Sequence, residues 1–266
     1  MSEFAAALPA IIQLLSEDFI ALLGLLVLAG VHILCGKDSW WHFFEAHGWV
    51  SFSAGASVAY VFIHVFPDIS ILQQQLSGIP SHHYSGQFFN QPLYITALAG
   101  ICLPYLLDTL EMRYAEHDKQ CDRQVHLSIF GIRKLLYTFY NMMLAYMIVN
   151  RHTEGVLSMK IIVLVVAMHF IVLNANFKET YHDLFKKYIR WFAVLGLVLG
   201  GVLAKAVIIP SFVLAYLFAL IGGVITYTAL KQELPKTNHR APFHFLAGII
   251  CFTLLILSVP YFGQVH

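Results

Sequence analysis

Long apolar stretches alternate with short polar segments along the whole chain, and this alternation predicts its secondary structure. About 20 mostly apolar residues in a helix cross the hydrocarbon core of a bilayer. Stretches of roughly that length lie near residues 18–36, 48–67, 92–112, 132–149, 160–177, 190–207, 211–233 and 242–262. The connections between them are too short to form a soluble domain. The pattern therefore predicts one all-α membrane domain over residues 1–266, with eight transmembrane helices.

The composition supports a membrane protein and excludes other classes. Apolar residues make up 59% of the 266 residues and charged residues 12%, with a mean hydropathy of +0.70, whereas about 25% of residues are charged in a soluble domain. A net charge of +1 gives no basis for binding nucleic acid. The expected partners are membrane lipids. Short loops without Asn-x-Ser/Thr acceptors favour a multi-pass protein of a plasma membrane, the inner membrane if the source is bacterial.

The positively charged residues are divided unequally between alternate loops. Thirteen of the sixteen Lys and Arg residues follow spans 1, 3, 5 and 7, and only Arg151, Lys160 and Lys205 fall on the other side. Cytoplasmic loops are enriched in Lys and Arg. The charges therefore predict that both termini lie outside the cytoplasm.

Two helix ends, residues 53–68 and 222–236, align without a gap. Each begins with small residues, continues through an apolar stretch and closes with a proline three residues after a polar side chain, as in His64 before Pro67. Because the predicted topology runs spans 2 and 7 in opposite directions, the two segments form an inverted repeat. Membrane transporters are commonly built from such repeats.

Small residues also predict where helices approach closely. Gly196, Gly200 and Ala204 share one face of span 6, and Gly55 lies among small residues in span 2. Small residues spaced by four allow helix backbones to come into contact in a membrane. We therefore expect a tightly packed bundle.

Span 2 carries a polar face. Ser53, Ser57, Tyr60, His64 and Asp68 follow one another at spacings of three or four residues, which places them on one side of a helix. Ser57, Tyr60, His64 and Asp68 are candidates for the path by which a polar solute or cation enters from outside, with His64 and Asp68 as paired ligands. Alternatively, Asp68 lies at the membrane interface and simply hydrogen-bonds His64.

A second polar line follows span 5 towards the cytoplasmic side. His169, Asn176 and Asp183 recur every seven residues, and Glu179 and His182 flank the last of them. Imidazole and carboxylate are common ligands of zinc, so Glu179, His182 and Asp183 are candidates for a cytoplasmic exit path. Because lysines lie close to these residues, the competing interpretation is that they contact lipid headgroups.

Spans 3 and 4 carry further polar side chains. Tyr137 and Asn141 lie one turn apart in span 4, and hydrogen bonds between helices are one explanation for them. Asp108 and Glu111 share a face of span 3 close to Arg113. An ion pair at the membrane boundary and a cytoplasmic exit site are both consistent with these carboxylates.

These features resemble the ZIP (Zrt/Irt-like) family of divalent-metal transporters. Residues 63–68 (IHVFPD) are similar to the family's His-Leu-Leu-Pro-Asp/Glu ending of span 2, and residues 229–235 (ALKQELP) to its Leu-x-Glu-Leu-Pro-Glu ending of span 7. The resemblance implies eight spans, in which spans 1–3 and 6–8 repeat around spans 4 and 5, and a homodimer. It also implies movement of a zinc, iron or manganese class ion towards the cytoplasm.

The metal-site signatures of the family are only partly matched. Its His-x-x-x-Asp/Glu-Gly motif in span 4 aligns with Tyr137 and Asn141, and its His-Glu-x-x-His/Gln-Glu motif in span 5 aligns with His169 and Asn174. By this resemblance His169, Asn174, Asn141, Asn176 and Tyr137 form the central metal site, with zinc as a candidate transported ion and no other cofactor. The set contains no carboxylate, although a divalent ion leaving water needs anionic ligands.

Two other functions compete with transport. The missing carboxylates are compatible with a ZIP-fold protein that has lost transport and acts as a receptor, scaffold or lipid-binding protein. An intramembrane zinc-dependent hydrolase would instead use His64, Asp68 and His169 as ligands and a zinc-bound water as nucleophile. Enzymatic activity is the less favoured expectation.

Overall fold

A computed structural model describes residues 2–46, 48–77, 91–117, 123–150, 155–233 and 242–258, and side chains within 18–43, 48–76, 91–113, 129–150, 159–181, 183–231 and 242–258. This part of the chain is helical and contains no strand. The helices are α1 (Ser2–Cys35), α2 (Asp38–Ala46), α3 (Trp49–Tyr60), α4 (Phe66–Ser77), α5 (Pro92–His117), α6 (Arg123–Val149), α7 (Gly155–Thr180), α8 (His182–Leu184), α9 (Arg190–Ala206), α10 (Ser211–Glu233) and α11 (Pro242–Leu257). Residues Val61–Val65 form a π-helical turn between α3 and α4, and Phe185–Ile189 form another between α8 and α9.

Six helical segments among the described residues are long and apolar enough to cross a membrane. They are Asp18–Cys35, Trp49–Leu76, Pro92–Arg113, Met159–Thr180, Phe185–Ala206 and Ser211–Lys231. An all-α membrane protein is thus confirmed, and these segments coincide with predicted spans 1, 2, 3, 5, 6 and 7. Predicted span 4 lies in α6, which does not meet this criterion, and predicted span 8 lies in α11, which has 16 residues. Eight membrane crossings remain a prediction.

The long helices form two groups. Helices α1, α6, α7 and α9 pack against one another, and α3, α5, α10 and α11 form a second group in which α3 packs on α11 and α10 packs on α5. The groups meet where α7 contacts α3 and α10 and where α5 contacts α6. We call this contact zone the boundary between the first and the second group.

Glycines allow the closest helix contact of the first group. A Cβ atom on Gly196 or Gly200 of α9 would overlap a main-chain carbonyl oxygen of α6, from Thr138 and Met142 respectively. Helices can approach this closely only where no side chain intervenes. The close contact predicted from the small-residue face of span 6 is therefore confirmed.

The second group contains two equivalent glycine contacts. Gly55 of α3 faces the backbone of α11 at Phe245, and Gly223 of α10 faces the backbone of α5 at Ala97. Both glycines precede by twelve residues the proline that closes their segment, so they occupy the same position in the aligned segments. In each aligned segment the glycine at this position thus packs against another helix, α11 for the first segment and α5 for the second. The closing proline of the second segment, Pro235, lies outside the described residues.

Candidate functional site

A buried network of polar side chains lies inside the first group of helices. His32 of α1 is at its centre: Nε2 lies 2.9 Å from Oδ1 of Asn141, and Nδ1 lies 3.1 Å from Oδ1 of Asn174. The Tyr137 hydroxyl donates a hydrogen bond of 3.0 Å to Oδ1 of Asn174 and lies 3.2 Å from Nδ1 of His32. His32 and both asparagines have no solvent-exposed surface. We call these four residues the His32 network.

The helices position this network through ordinary helical spacing and aromatic packing. Tyr137 and Asn141 are one turn apart on α6, and Nδ2 of Asn141 donates to the main-chain oxygen of Tyr137 at 2.8 Å. The ring of Phe170, from α7, lies 4.3 Å from the ring of His32 between centroids. Because the Asn141 amide nitrogen is already engaged, Oδ1 faces His32 and accepts from Nε2–H, which sets the tautomer of the ring.

The His32 network is polar but carries no carboxylate. His32 makes contacts through both ring nitrogens, and Tyr137 bridges to Asn174, so most of the hydrogen-bonding capacity is already used within the network. The amide nitrogen of Asn174 has no hydrogen-bond partner in the described part of the chain. Such a network can orient three helices and present neutral donors and acceptors, but it does not supply the negative charge that a divalent cation needs.

The five residues of the predicted metal site do not come together as a single cluster. Tyr137, Asn141 and Asn174 do come together, but around His32 and not around His169. Nε2 of His169 lies 2.8 Å from the Tyr140 hydroxyl, and Nδ1 of His169 has no partner among the described residues. His169 and Asn174 are five residues apart, which turns them towards different sides of α7.

Asn176 also lies apart from the other predicted ligands. Its amide nitrogen donates to the main-chain oxygen of Thr228 in α10 at 3.4 Å. Asn176 and His169 share a face of α7, but seven residues separate them by about two turns, roughly 10 Å along the axis. A seven-residue spacing gives a shared face of a helix, but it cannot predict convergence on one ion.

The described residues also contain no group of three or more His, Cys, Asp or Glu side chains able to hold a metal ion. His64 pairs with Asp68, whereas His169 pairs with Tyr140. The described structure therefore does not bring His64, Asp68 and His169 together as the zinc ligands expected for an intramembrane hydrolase, and first-shell zinc ligands must converge.

The four residues of the predicted path from outside are distributed around the π-helical turn. Nδ1 of His64 lies 3.6 Å from Oδ2 of Asp68, and both residues are buried. The rings of Tyr60 and His64 are 5.0 Å apart between centroids. The hydroxyl of Ser57 donates to the main-chain oxygen of Ser53, four residues earlier, at 2.9 Å. The structure thus brings Tyr60, His64 and Asp68 together and leaves Ser57 bonded within its own helix.

Two cavities lie at the boundary between the helix groups, towards opposite ends of α6 and α10. One, of about 390 Å³, is lined by Tyr60, Asp68 and Asn150, and we call it the Asp68 cavity. The other, of about 180 Å³, is lined by Asp108 and Tyr140, and we call it the Asp108 cavity. Both reach Ile221 of α10, which lies between them.

The Asp108 cavity ends in a cluster of charged side chains. Arg133 of α6 forms ion pairs with Asp108 and, at 3.0 Å, with Glu111. Lys231 of α10 lies 2.5 Å from Oδ2 of Asp108, which also accepts a hydrogen bond of 2.6 Å from Tyr227. An ion pair was expected for these carboxylates, but with Arg113, which is exposed. The distant residues Arg133 and Lys231 are the actual partners.

Among the predicted exit-path residues with described side chains, neither Glu179 nor Asp183 lines the Asp108 cavity. Glu179 and Asp183 are exposed, and the side chain of His182 lies outside the described residues. Lys178 is the buried residue here: Nζ lies 3.5 Å from Oδ1 of Asp38 and 4.6 Å from the centre of the Trp41 ring.

No family model, no curated protein and no solved structure matches this chain. His32 was not among the predicted site residues, although an ionisable side chain within a span is a signal of function. For Arg133 and Lys231 the only prediction was their place in the charge distribution between loops. In each case the sequence contains the residue but does not indicate which distant residues it contacts.

Proposed function

We propose that the protein is a ZIP-like membrane transporter that moves a divalent metal ion between the Asp68 cavity and the Asp108 cavity. The observation that supports this most directly is the arrangement of the two cavities, which approach Ile221 from opposite ends of the boundary between two helix groups. A solute could then cross by relative movement of the groups, since neither cavity passes through the core of a group. Each cavity holds a carboxylate, Asp68 in one and Asp108 in the other.

The positions of the charges suggest a direction. The end that contains Asp108 also contains Arg133 and Lys231, and a second set of lysines gathers around Asp38. Cytoplasmic ends of membrane proteins are enriched in such residues. We therefore assign the Asp68 cavity to the outside and the Asp108 cavity to the cytoplasm, with both termini outside, in the plasma membrane. Eight spans and a homodimer complete the proposal, as the ZIP resemblance implies.

Uptake by reconstituted protein tests this function. Liposomes that contain a zinc-sensitive dye are loaded with the protein, and zinc, manganese or iron(II) is added outside. We expect uptake above that of empty liposomes, and Asp68→Asn should slow it by about 10- to 100-fold, the usual cost of losing a metal-orienting group. Asp18→Asn is the matched control, because Asp18 is half-exposed and pairs with Lys205 away from either cavity.

Two results would contradict the proposal. Uptake no faster than in empty liposomes with every ion would rule out transport of these metals. Equal rates for wild type, Asp68→Asn and Asp18→Asn would remove Asp68 from the path.

A ZIP-fold protein without transport is the second candidate, and the His32 network favours it. The centre of the first helix group is neutral and largely saturated with internal hydrogen bonds, which suits a structural role better than coordination of an ion. Calorimetric titration with zinc, cadmium, manganese and iron(II) separates the candidates. Binding heat that disappears in Asp68→Asn supports transport, whereas no heat with any ion supports a receptor, scaffold or lipid-binding protein.

A further inference from the structure

The charged cluster at the end of the Asp108 cavity connects the two helix groups. We call Asp108, Glu111, Arg133, Tyr227 and Lys231 the Asp108 network. Arg133 belongs to α6 of the first group, whereas the other four belong to α5 and α10 of the second. Both ion pairs of Arg133 therefore cross the boundary.

Burial makes these ion pairs strong restraints. The side chains of Arg133, Asp108 and Glu111 are only 11 to 12% exposed. The two carboxylates are balanced by two cations, so the network as a whole has no net formal charge. Separating one partner from such a buried set leaves an uncompensated charge, which is strongly unfavourable.

Neighbouring contacts accompany the network at this end of the boundary. Burial, together with a hydrogen bond to Glu111, raises the pKa of Tyr181, which follows the C-terminus of α7 in the first group. Across the same boundary, the hydrogen bond from Asn176 to the Thr228 carbonyl is neutral and 3.4 Å long.

We propose that the Asp108 network is a latch that holds the Asp108 cavity closed towards the adjacent end of the bundle and that arriving cargo releases. This inference rests on the transport function proposed above. A divalent cation in the cavity is attracted to the Asp108 and Glu111 carboxylates and competes with Arg133 and Lys231 for them. Two carboxylates balance one divalent ion, and the two side-chain cations that it displaces must then leave the cavity for water, because a buried charge without a partner is strongly unfavourable. Arg133, once displaced, no longer ties α6 to α5.

Thiol labelling measures whether the cavity is closed. Asn176 lines the Asp108 cavity, so Asn176→Cys places a reporter there, in protein whose Cys102, Cys121 and Cys251 are changed to alanine. Cys35 is fully buried and is retained, and protein without the reporter gives the background rate. A membrane-impermeant thiol reagent is added to inside-out vesicles, on the side assigned to the cytoplasm.

The decisive variant removes both charges of one ion pair. Asp108→Asn with Arg133→Gln should raise the labelling rate of the reporter by about tenfold, and added zinc should raise it in the protein with an intact network. Lys134→Gln is the matched control, because Lys134 is next to Arg133 but lies over the Phe192 ring, 4.3 Å from its centre. Its labelling rate should equal that of the reporter protein alone.

A milder variant keeps the test valid if the double variant fails to fold. Tyr227→Phe removes one hydrogen bond to Asp108 and retains every charge, and it should raise labelling by about twofold to threefold. Unchanged labelling in Tyr227→Phe and in the folded double variant would overturn the latch. Faster labelling in a protein that carries no ion into liposomes would instead support the latch and overturn the transport function.

Discussion

Replacing His32 with leucine tests whether this residue organises the first group of helices. Leucine places an apolar side chain against the Phe170 ring, so the packing there is largely retained. It removes the hydrogen bond to Oδ1 of Asn141, at 2.9 Å, and the contact of 3.1 Å between Nδ1 and Oδ1 of Asn174. Asn174 keeps its bond from Tyr137, whereas Oδ1 of Asn141 loses its donor inside the bundle.

The expected loss follows from these contacts. A hydrogen bond between membrane helices contributes about 0.6 kcal/mol on average and up to about 1.7 kcal/mol. A buried acceptor left without a donor costs about 1 to 3 kcal/mol more. We therefore expect His32→Leu to lower the free energy of unfolding by about 2 to 5 kcal/mol. Asn141→Leu in the same protein removes the orphaned acceptor, so the two losses should be non-additive by about 1 kcal/mol.

Equilibrium unfolding in mixed detergent micelles, followed by circular dichroism, measures these differences. His244→Leu is the control, because His244 is exposed on α11 and surface substitutions usually change stability by less than about 0.5 kcal/mol. If His32→Leu costs no more than His244→Leu, or if the His32 and Asn141 losses simply add, the network does not exist as described.

Two further predictions concern packing and pH. Gly200→Ala places a Cβ against Met142 and should destabilise the protein by about 1 to 3 kcal/mol. The control is Gly30→Ala, whose Cβ meets nothing within 4 Å and which should stabilise the protein by about 0.4 to 1 kcal/mol. Equal melting temperatures for the two variants would refute the close α6–α9 contact. The hydrogen bond from Lys186 lowers the pKa of Asp38 below its ordinary value of 3.8, so the folded state favours the carboxylate and this stabilisation is lost as the pH falls through that lowered pKa. The stability difference between wild type and Asp38→Asn should therefore shrink below about pH 4. A difference that grows on acidification would mean that folding raises the pKa of Asp38, which contradicts the prediction.

The sequence by itself determined the class of the protein and much of its local structure. Apolar stretches of membrane length predicted helices that the structure contains, because the membrane requires every backbone hydrogen bond to be satisfied within the segment. The faces of those helices were also predictable, since side chains three or four residues apart share a side. For this reason the glycine face of α9 and the pairing of His64 with Asp68 were both anticipated.

Only the tertiary structure decided which polar residues meet. His32 contacts Asn174, 142 residues away, and Arg133 contacts Asp108, 25 residues away, on a different helix. Helical periodicity gives the face of a side chain, but it gives neither its height against a neighbouring helix nor the identity of that neighbour. Those depend on how the helices cross, and the crossings are set by backbone contacts at glycines such as Gly200. A metal site predicted from residues of α6 and α7 therefore divided into a His32 network, a His169 pair and an Asn176 contact once the helices were packed.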